Sequence, residues 1–374
     1  MALRFLISLF LLLQDPEPKD ILREAAAAYQ SGNLTAAIRL YREFLKDHPD
    51  AAEIRSNLGA ALVGEGNFGE AIEEYQEALK VLPDNPRVRM NLALAYYKVG
   101  RFPDAVQDLE VLHAFQPLEL KPALLLADCL MQMGQPQKAA DLLTPLSEEY
   151  PDDHAVTYLL GMALLKQNRA EDAKVMLDLI LRDGDSAEAA FLLGQSELIR
   201  QNPVAAVADL KRAVDLNPKL PGAHSLYGQA LRLVGKQDEA IEQFHEELKV
   251  NPYDFVANME ESMLLKQNGE LDRALVHVAR ALQVRPGDPG LLYQRASVYL
   301  AQGHSDEARQ QLEGLTRGYP DFAEAHSALA TVYYKLKRKE DGDREREAAR
   351  RSQDEAEKRL EESRKHVVQT PRAP

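Results

Sequence analysis

Nine histidines and one cysteine are the side chains of this 374-residue chain with the widest chemistry. A metal site needs ligands at short helical or hairpin spacing, and a cysteine nucleophile needs a base within reach. His48, His113, His154, His224, His245, His277, His304, His326 and His366 form no H-x-x-x-H or H-E-x-x-H pair, and none adjoins Cys129. The Cys129 thiol has Leu126, Leu130 and Met131 as neighbours, which predicts a buried, inert group. No phosphate-cradling glycine loop and no G-x-S-x-G elbow occurs. Acidic pairs such as Asp152–Asp153 follow a proline, where carboxylates cap the next helix. The chain is therefore expected to be no enzyme, to hold no metal and to need no cofactor.

Recognition chemistry is better supplied. Met90, Leu94, Leu124, Met131, Tyr158, Met162, Leu165, Phe191 and Leu198 recur at helical spacing through the middle of the chain. Corresponding places elsewhere hold Ser56, Ala60, Ser225, Gln229, Ser297, Ser327 and Thr331. Ordinary packing should ask the same of every repeat, so the contrast points to a strip that takes an apolar or amphipathic peptide. Periodicity fixes side-chain direction only to a sector, so helix–helix packing is the competing expectation for the same residues. A net charge of −14 argues against nucleic acid, which needs a basic footprint. The expected partner is a protein or peptide.

What must position these residues is a repeat. Pro49, Pro83, Pro117 and Pro151 are each 34 residues apart, as are Pro218, Pro252, Pro286 and Pro320. The step from Pro151 to Pro218 is 67, so one repeat has lost its proline and one residue. Small residues 12 apart recur in every unit, as in Gly59 with Ala71 and Gly228 with Ala240. Small side chains let two helices approach closely where they cross. Large apolar residues flank the first small site at helical spacing, as in Leu58 and Leu62. A glycine between the two helices, at Gly32, Gly66, Gly100, Gly134, Gly235, Gly269 and Gly303, suits the left-handed turn that ends a helix. Asn33, Asn67, Asp104, Asp238 and Asp272 then stand where an N-cap oxygen would accept from free backbone N–H groups. No alternating strand pattern of useful length occurs, so the expected fold is all-α.

The second unit reads AEIRSNLGAALVGEGNFGEAIEEYQEALKVLPDN. In this it resembles the tetratricopeptide repeat family nearly throughout, although Arg55 stands where the family usually has tryptophan. The resemblance recurs in about ten units over residues 18–354. It implies a right-handed superhelical solenoid of 34-residue helix-turn-helix repeats, with a concave groove lined by the first helix of each. Some family members clamp a terminal carboxylate with Lys, Asn and Arg from consecutive repeats. Asn57 and Asn91 match part of that set, but Leu22, Ala26, Ser56 and Ala60 stand where Lys or Asn is required.

The ends differ from the array. Arg4 precedes Phe5 to Leu13, a run apolar except for Ser8, and Asp15, Pro16 and Pro18 break it. The pattern of residues 1–17 is that of a signal peptide and linker without a clear cleavage motif. The run is too short to span a bilayer core of about 30 Å. The mature form is expected to have no integral membrane span and to be secreted or periplasmic, with the cytoplasm as the alternative. From Lys335 to Lys365, 22 of 31 residues are charged, with a thin stripe of Ala349, Ala356, Leu360 and Val367. That pattern predicts a charged helix capping the last repeat, its end and a disordered tail filling residues 355–374. A monomeric, non-catalytic interaction scaffold is the leading functional expectation. A spacer or assembly factor of a cell-envelope complex, or a regulatory subunit of an enzyme, is the alternative.

Overall fold

The computed structural model describes residues 18–182 and 186–369. These form twenty helices and no strand. They pair in chain order as repeats one to ten. The first six are α1 (Pro18–Gln30), α2 (Leu34–Asp47), α3 (Ala52–Gly64), α4 (Phe68–Val81), α5 (Pro86–Lys98) and α6 (Phe102–Phe115). Next come α7 (Leu120–Gln132), α8 (Pro136–Glu149), α9 (His154–Lys166), α10 (Ala170–Leu181), α11 (Ala187–Ile199), α12 (Pro203–Leu216), α13 (Ala223–Leu233) and α14 (Gln237–Val250). The last are α15 (Phe255–Gln267), α16 (Leu271–Val284), α17 (Pro289–Ala301), α18 (Ser305–Gly318), α19 (Ala323–Lys335) and α20 (Lys339–Gln369). The chain divides into two compact units, Met1–Pro122 and Ala123–Pro374. Within each, helices pack mainly on their chain neighbours, the connectivity of a repeat solenoid.

The small-residue pairs mark where the two helices of a hairpin cross. A Cβ placed on Gly59 would come within 2.7 Å of the Tyr75 ring, and one on Gly228 within 2.8 Å of Phe244. Tyr75 and Phe244 are buried, so each aromatic ring fills the space that its glycine leaves. Cys129 is buried, and desolvation raises the pKa of its thiol, which disfavours the thiolate.

The turn glycines adopt the expected left-handed backbone, with φ between 71° at Gly100 and 84° at Gly303. In repeats five, six and ten the same place is taken by Asn168, Gln201 and Lys337, at φ 58°, 58° and 61°. The architecture imposes the conformation even where the residue resists it. The capping expectation holds less well. Asn33 accepts from Ala36 N, but Asn67, at the N-cap of α4, makes no cap bond. Asp104 instead pairs with Arg101 at 2.8 Å, and Asp272 accepts from Gln302 of the following repeat at 2.7 Å. Asp104, Asp238 and Asp272 lie inside the first turn, two or three residues past the N-cap, where their charge meets the helix dipole but their oxygens cannot cap. The first helices are capped more often, by Asn85, Asp153, Ser186, Asp254 and Asp288.

The column headed by Arg55 has a bridging role. Arg55 donates to the Pro49 carbonyl at 2.8 Å and to Glu74 at 2.7 Å. Arg89 does the same with Pro83 and Asp108, and His326 Nε2 with Pro320 at 3.0 Å while its Nδ1 meets Glu345 at 2.6 Å. His224 and Asn258 bridge the Pro218 and Pro252 carbonyls to Gln243 and His277. One polar side chain thus ties the inter-repeat turn to the second helix, satisfying a carbonyl that the proline turn leaves outside any helix.

The ends are covered only in part. Residues 1–17, with the apolar run, and Thr370 to Pro374 lie outside the described residues. The first half of α20 packs on α19, where Ala349 is buried, and Ser352 Oγ contacts the Pro320 carbonyl at 3.4 Å. The expected stripe does not continue: Ala356 is exposed, and the side chains of Leu360 and Val367 lie outside the described residues. An i,i+3 pair between Glu347 and Arg350 at 3.0 Å supports the solvated helix.

Candidate functional site

A cavity of about 90 Å³ lies within the Ala123–Pro374 unit. Its walls come from the first helices of five successive repeats. Met131 and Gln132 stand on α7, Met162 and Lys166 on α9, Phe191 and Gln195 on α11, Ser225 and Gln229 on α13, and Asp254 and Phe255 at the start of α15. The first helices of five consecutive repeats can share one small cavity only if they curve around it, so this is an inner groove.

Arg285 closes the ring from the C-cap of α16. Its Nε donates to the Gln132 carbonyl at 3.0 Å, and its guanidinium lies 3.7 Å from the centre of the Phe255 ring. Gln132 ends α7, so its carbonyl has no partner within the helix and forms part of the negative end of the helix dipole. A Cβ on Gly134 would lie 3.1 Å from the guanidinium carbon, so the absence of a side chain there leaves the arginine room. The contact links the eighth repeat to the fourth across 153 residues of sequence.

The groove wall at repeat seven is irregular. Its first helix, α13, has 11 residues where the other described first helices have 13, and it is preceded by Gly222 at φ 80°. The carboxylate of Glu247, fully buried on α14, takes the place of a missing cap. It accepts from Gly222 N at 2.8 Å and Ser225 N at 3.3 Å. Ser225 Oγ in turn donates to Asp254 at 2.6 Å, and Asp254 also accepts from Ala257 N at 2.7 Å. Desolvation raises both carboxyl groups above the usual carboxylate range, and the Asp254 charge adds to the effect on Glu247.

Two cations face this arrangement. Lys166 is exposed at its surface, yet it stands in the cavity lining among the groove walls. Desolvation, then the Arg285 charge, push its ammonium below the ordinary lysine range, against the pull of Asp254. Arg285 is lowered by desolvation, with Asp288 and Asp254 opposing. Neither cation has a carboxylate within ion-pair distance among the described residues. Two buried polar atoms nearby also lack a hydrogen-bond partner there: Gln195 Oε1 and Tyr158 Oη.

The nine residues of the apolar strip separate into groups. Met131, Met162 and Phe191 line the cavity. Tyr158 packs its ring edge-on to Phe191 at 6.0 Å, behind the lining. Leu165 is buried away from the cavity, while Leu124 and Leu198 are half-buried and outside it. Met90 and Leu94 belong to the Met1–Pro122 unit and are half-buried there. Ser225 and Gln229, read from the sequence as the contrasting polar places, share the same cavity.

Lys166, Gln195, Asp254 and Arg285 escaped the sequence reading. One signal was available for Arg285: the residue before the turn proline is His48, Leu82, Gln116, Tyr150, Asn217, Asn251 and Tyr319 in other repeats, none of them a permanent cation. The described residues hold no group of three or more His, Cys, Asp or Glu able to bind a metal, and no helix long and apolar enough to cross a membrane.

The geometry agrees with comparisons to known proteins. A tetratricopeptide repeat profile matches residues 112–162, 130–195 and 265–341, a TPR repeat profile residues 61–100, and a further tetratricopeptide repeat profile residues 22–63 and 173–221. The human DnaJ homolog subfamily C member 3 is 25% identical over 193 residues, covering 47% of this chain and 38% of its own. The human Superkiller complex protein 3 is 27% identical over 180 residues, covering 48% of this chain and 10% of its own. The chain thus spans well under half the length of either relative. Among solved structures, the chain in the APC/C hetero-tetramer Cut9-Hcn1 aligns over 90% of this chain and 87% of its own, with a TM-score of 0.53 and 14% identity, a likeness of fold. The matched profiles together span more than half of the sequence, and the chain belongs to the tetratricopeptide repeat proteins.

Proposed function

We propose that this protein is a non-catalytic scaffold that holds a peptide or protein segment in the inner groove of repeats four to eight. The observation that carries the reading is the cavity built by five successive first helices, with Met131, Met162 and Phe191 in its lining and unpaired polar atoms beside them. Sulfur and aromatic surfaces adapt to varied apolar side chains, and unpaired polar groups become hydrogen-bond partners for a bound backbone. The protein works as a monomer without cofactor, and the apolar run from Phe5 to Leu13 supports a place outside the cytoplasm.

The test is capture of partners on immobilised wild-type chain and on Met162→Asp, with circular dichroism on both. Met162 is only half-buried, so its replacement is expected to keep the helical signal. A carboxylate in that wall would be desolvated against the partner, and capture is expected to be lost. Undiminished capture by a folded Met162→Asp would move the binding face elsewhere. N-terminal sequencing of native protein, with a start near Asp20 expected, tests the compartment.

A further inference from the structure

The cations of the groove define what the bound segment must carry, an inference that rests on the peptide-groove reading above. We propose that the cavity is a subsite for an internal acidic side chain of the bound peptide, its carboxylate held between the Lys166 ammonium and the Arg285 guanidinium.

Three observations converge on it. Both cations face one small cavity, and among the described residues neither is ion-paired, although the chain carries 59 acidic residues. The Arg285 charge disfavours the Lys166 ammonium, and Asp254 opposes this only from beyond ion-pair distance, so an anion seated between the two cations is favoured. Arg285 is also held in place before any ligand arrives, since its Nε is committed to the Gln132 carbonyl and its face to the Phe255 ring. The outer nitrogens remain for a carboxylate, at little further cost in side-chain entropy. Size and charge then limit the anion. A cavity of about 90 Å³ has room for a short acidic side chain. Asp128 and Asp254 also line the cavity, so a monoanion is tolerated better than a dianionic phosphate. Gln195 Oε1 is left to accept from a peptide N–H, and Met131, Met162 and Phe191 offer a surface for an apolar neighbour of the acidic residue.

The test begins with the full chain and a random dodecapeptide library displayed at the N-terminus of a phage coat protein, where no peptide has a free C-terminus. Enrichment of Asp or Glu beside an apolar residue is expected. The leading peptide is then synthesised with its acidic residue intact and as the amide. The amide is expected to bind about tenfold more weakly, and Lys166→Gln is expected to lower affinity for the acid form while erasing the acid–amide difference. Arg285→Gln should do the same but can also disturb the fold through the Gln132 contact. The Lys166 side chain makes no hydrogen bond among the described residues, so its variant decides the question. Equal binding of acid and amide, or an acid preference that survives Lys166→Gln, would overturn the subsite and leave the groove standing. Inorganic phosphate displacing the peptide better than acetate at equal ionic strength would overturn the carboxylate preference. Binders indifferent to Met162→Asp, or no binders at all, would remove the groove reading and the subsite together.

Discussion

Replacing Tyr158 by phenylalanine should stabilise the protein, the opposite of what removing a buried hydroxyl usually does. Tyr158 Oη is buried without a hydrogen-bond partner among the described residues, while its ring is held edge-on by Phe191 at 6.0 Å. Glu188, Asp128 and Glu247 lie within electrostatic reach, and desolvation is the chief reason its pKa lies well above the ordinary tyrosine value. A buried hydroxyl without a partner costs about 1–3 kcal/mol, and Tyr158→Phe keeps the ring contact while removing that cost. A gain of roughly 1–2 kcal/mol in a unit of this size raises the melting temperature by about 2–8 °C. Two other tyrosines supply controls. Tyr96 Oη accepts from Gln76 at 2.7 Å, and Tyr333 Oη donates to Glu313 at 2.9 Å. Their phenylalanine variants should lose about 1 and about 2 kcal/mol. Circular dichroism melts give the sign for all three, and amide exchange in α9 and α11 places the Tyr158 effect. A destabilised Tyr158→Phe, in line with the controls, would mean that the hydroxyl has a partner in solution and would refute the reasoning. If the hydroxyl serves the bound segment, Tyr158→Phe should strengthen the free fold and weaken capture together.

Further outcomes follow from the same geometry. Gln201→Gly and Lys337→Gly should each stabilise by about 1 kcal/mol in urea unfolding, since both residues sit at left-handed φ, near 58° and 61°, where a Cβ is disfavoured. The stability of the Ala123–Pro374 unit should fall as pH rises above 4.5, the ordinary value for Glu247. A carboxyl whose pKa is raised by folding keeps its proton where the unfolded chain has lost it, so its favourable contribution is complete at low pH and declines as pH rises toward the folded pKa. The loss between pH 5 and 7.5 should be roughly 1–3 kcal/mol, each unit of pKa being worth about 1.4 kcal/mol. Glu247→Gln should flatten that slope in thermal melts taken across the range.

The fold was legible because the period supplies it many times over. A proline, a glycine and two small residues per unit determine where each helix ends and where two of them cross. The misassigned caps at Asp104, Asp238 and Asp272 arise from a shift of two or three residues, enough to separate a cap from a first-turn charge. The Arg55 column was noticed only as an absent tryptophan, and its role depends on a carbonyl six residues back and a second-helix partner 19 residues on. The site was legible on its apolar side, at Met131, Met162 and Phe191. Its polar side was hidden because Arg285 meets Gln132 only after the curvature of five repeats has accumulated. No local pattern encodes that sum.

Apart from the left-handed Lys337 of repeat ten, the irregularities of the array gather around the same cavity. The 67-residue proline step, the left-handed Asn168 and Gln201, and the shortened α13 with Gly222 before it all fall in repeats five to seven. In a solenoid each repeat stacks on its neighbours alone, so a change of length or turn at one junction alters the angle of everything beyond it. Between repeats four and eight such changes decide whether Arg285 reaches the end of α7. The buried Glu247 caps the shortened helix, at the cost of a desolvated carboxyl beside Asp254. A regular 34-residue unit with an ordinary cap would avoid that cost. Its presence within a groove where Lys166 and Arg285 have no ion-pair partner among the described residues ties the departures from the repeat to the geometry of the groove, where a bound segment would experience them.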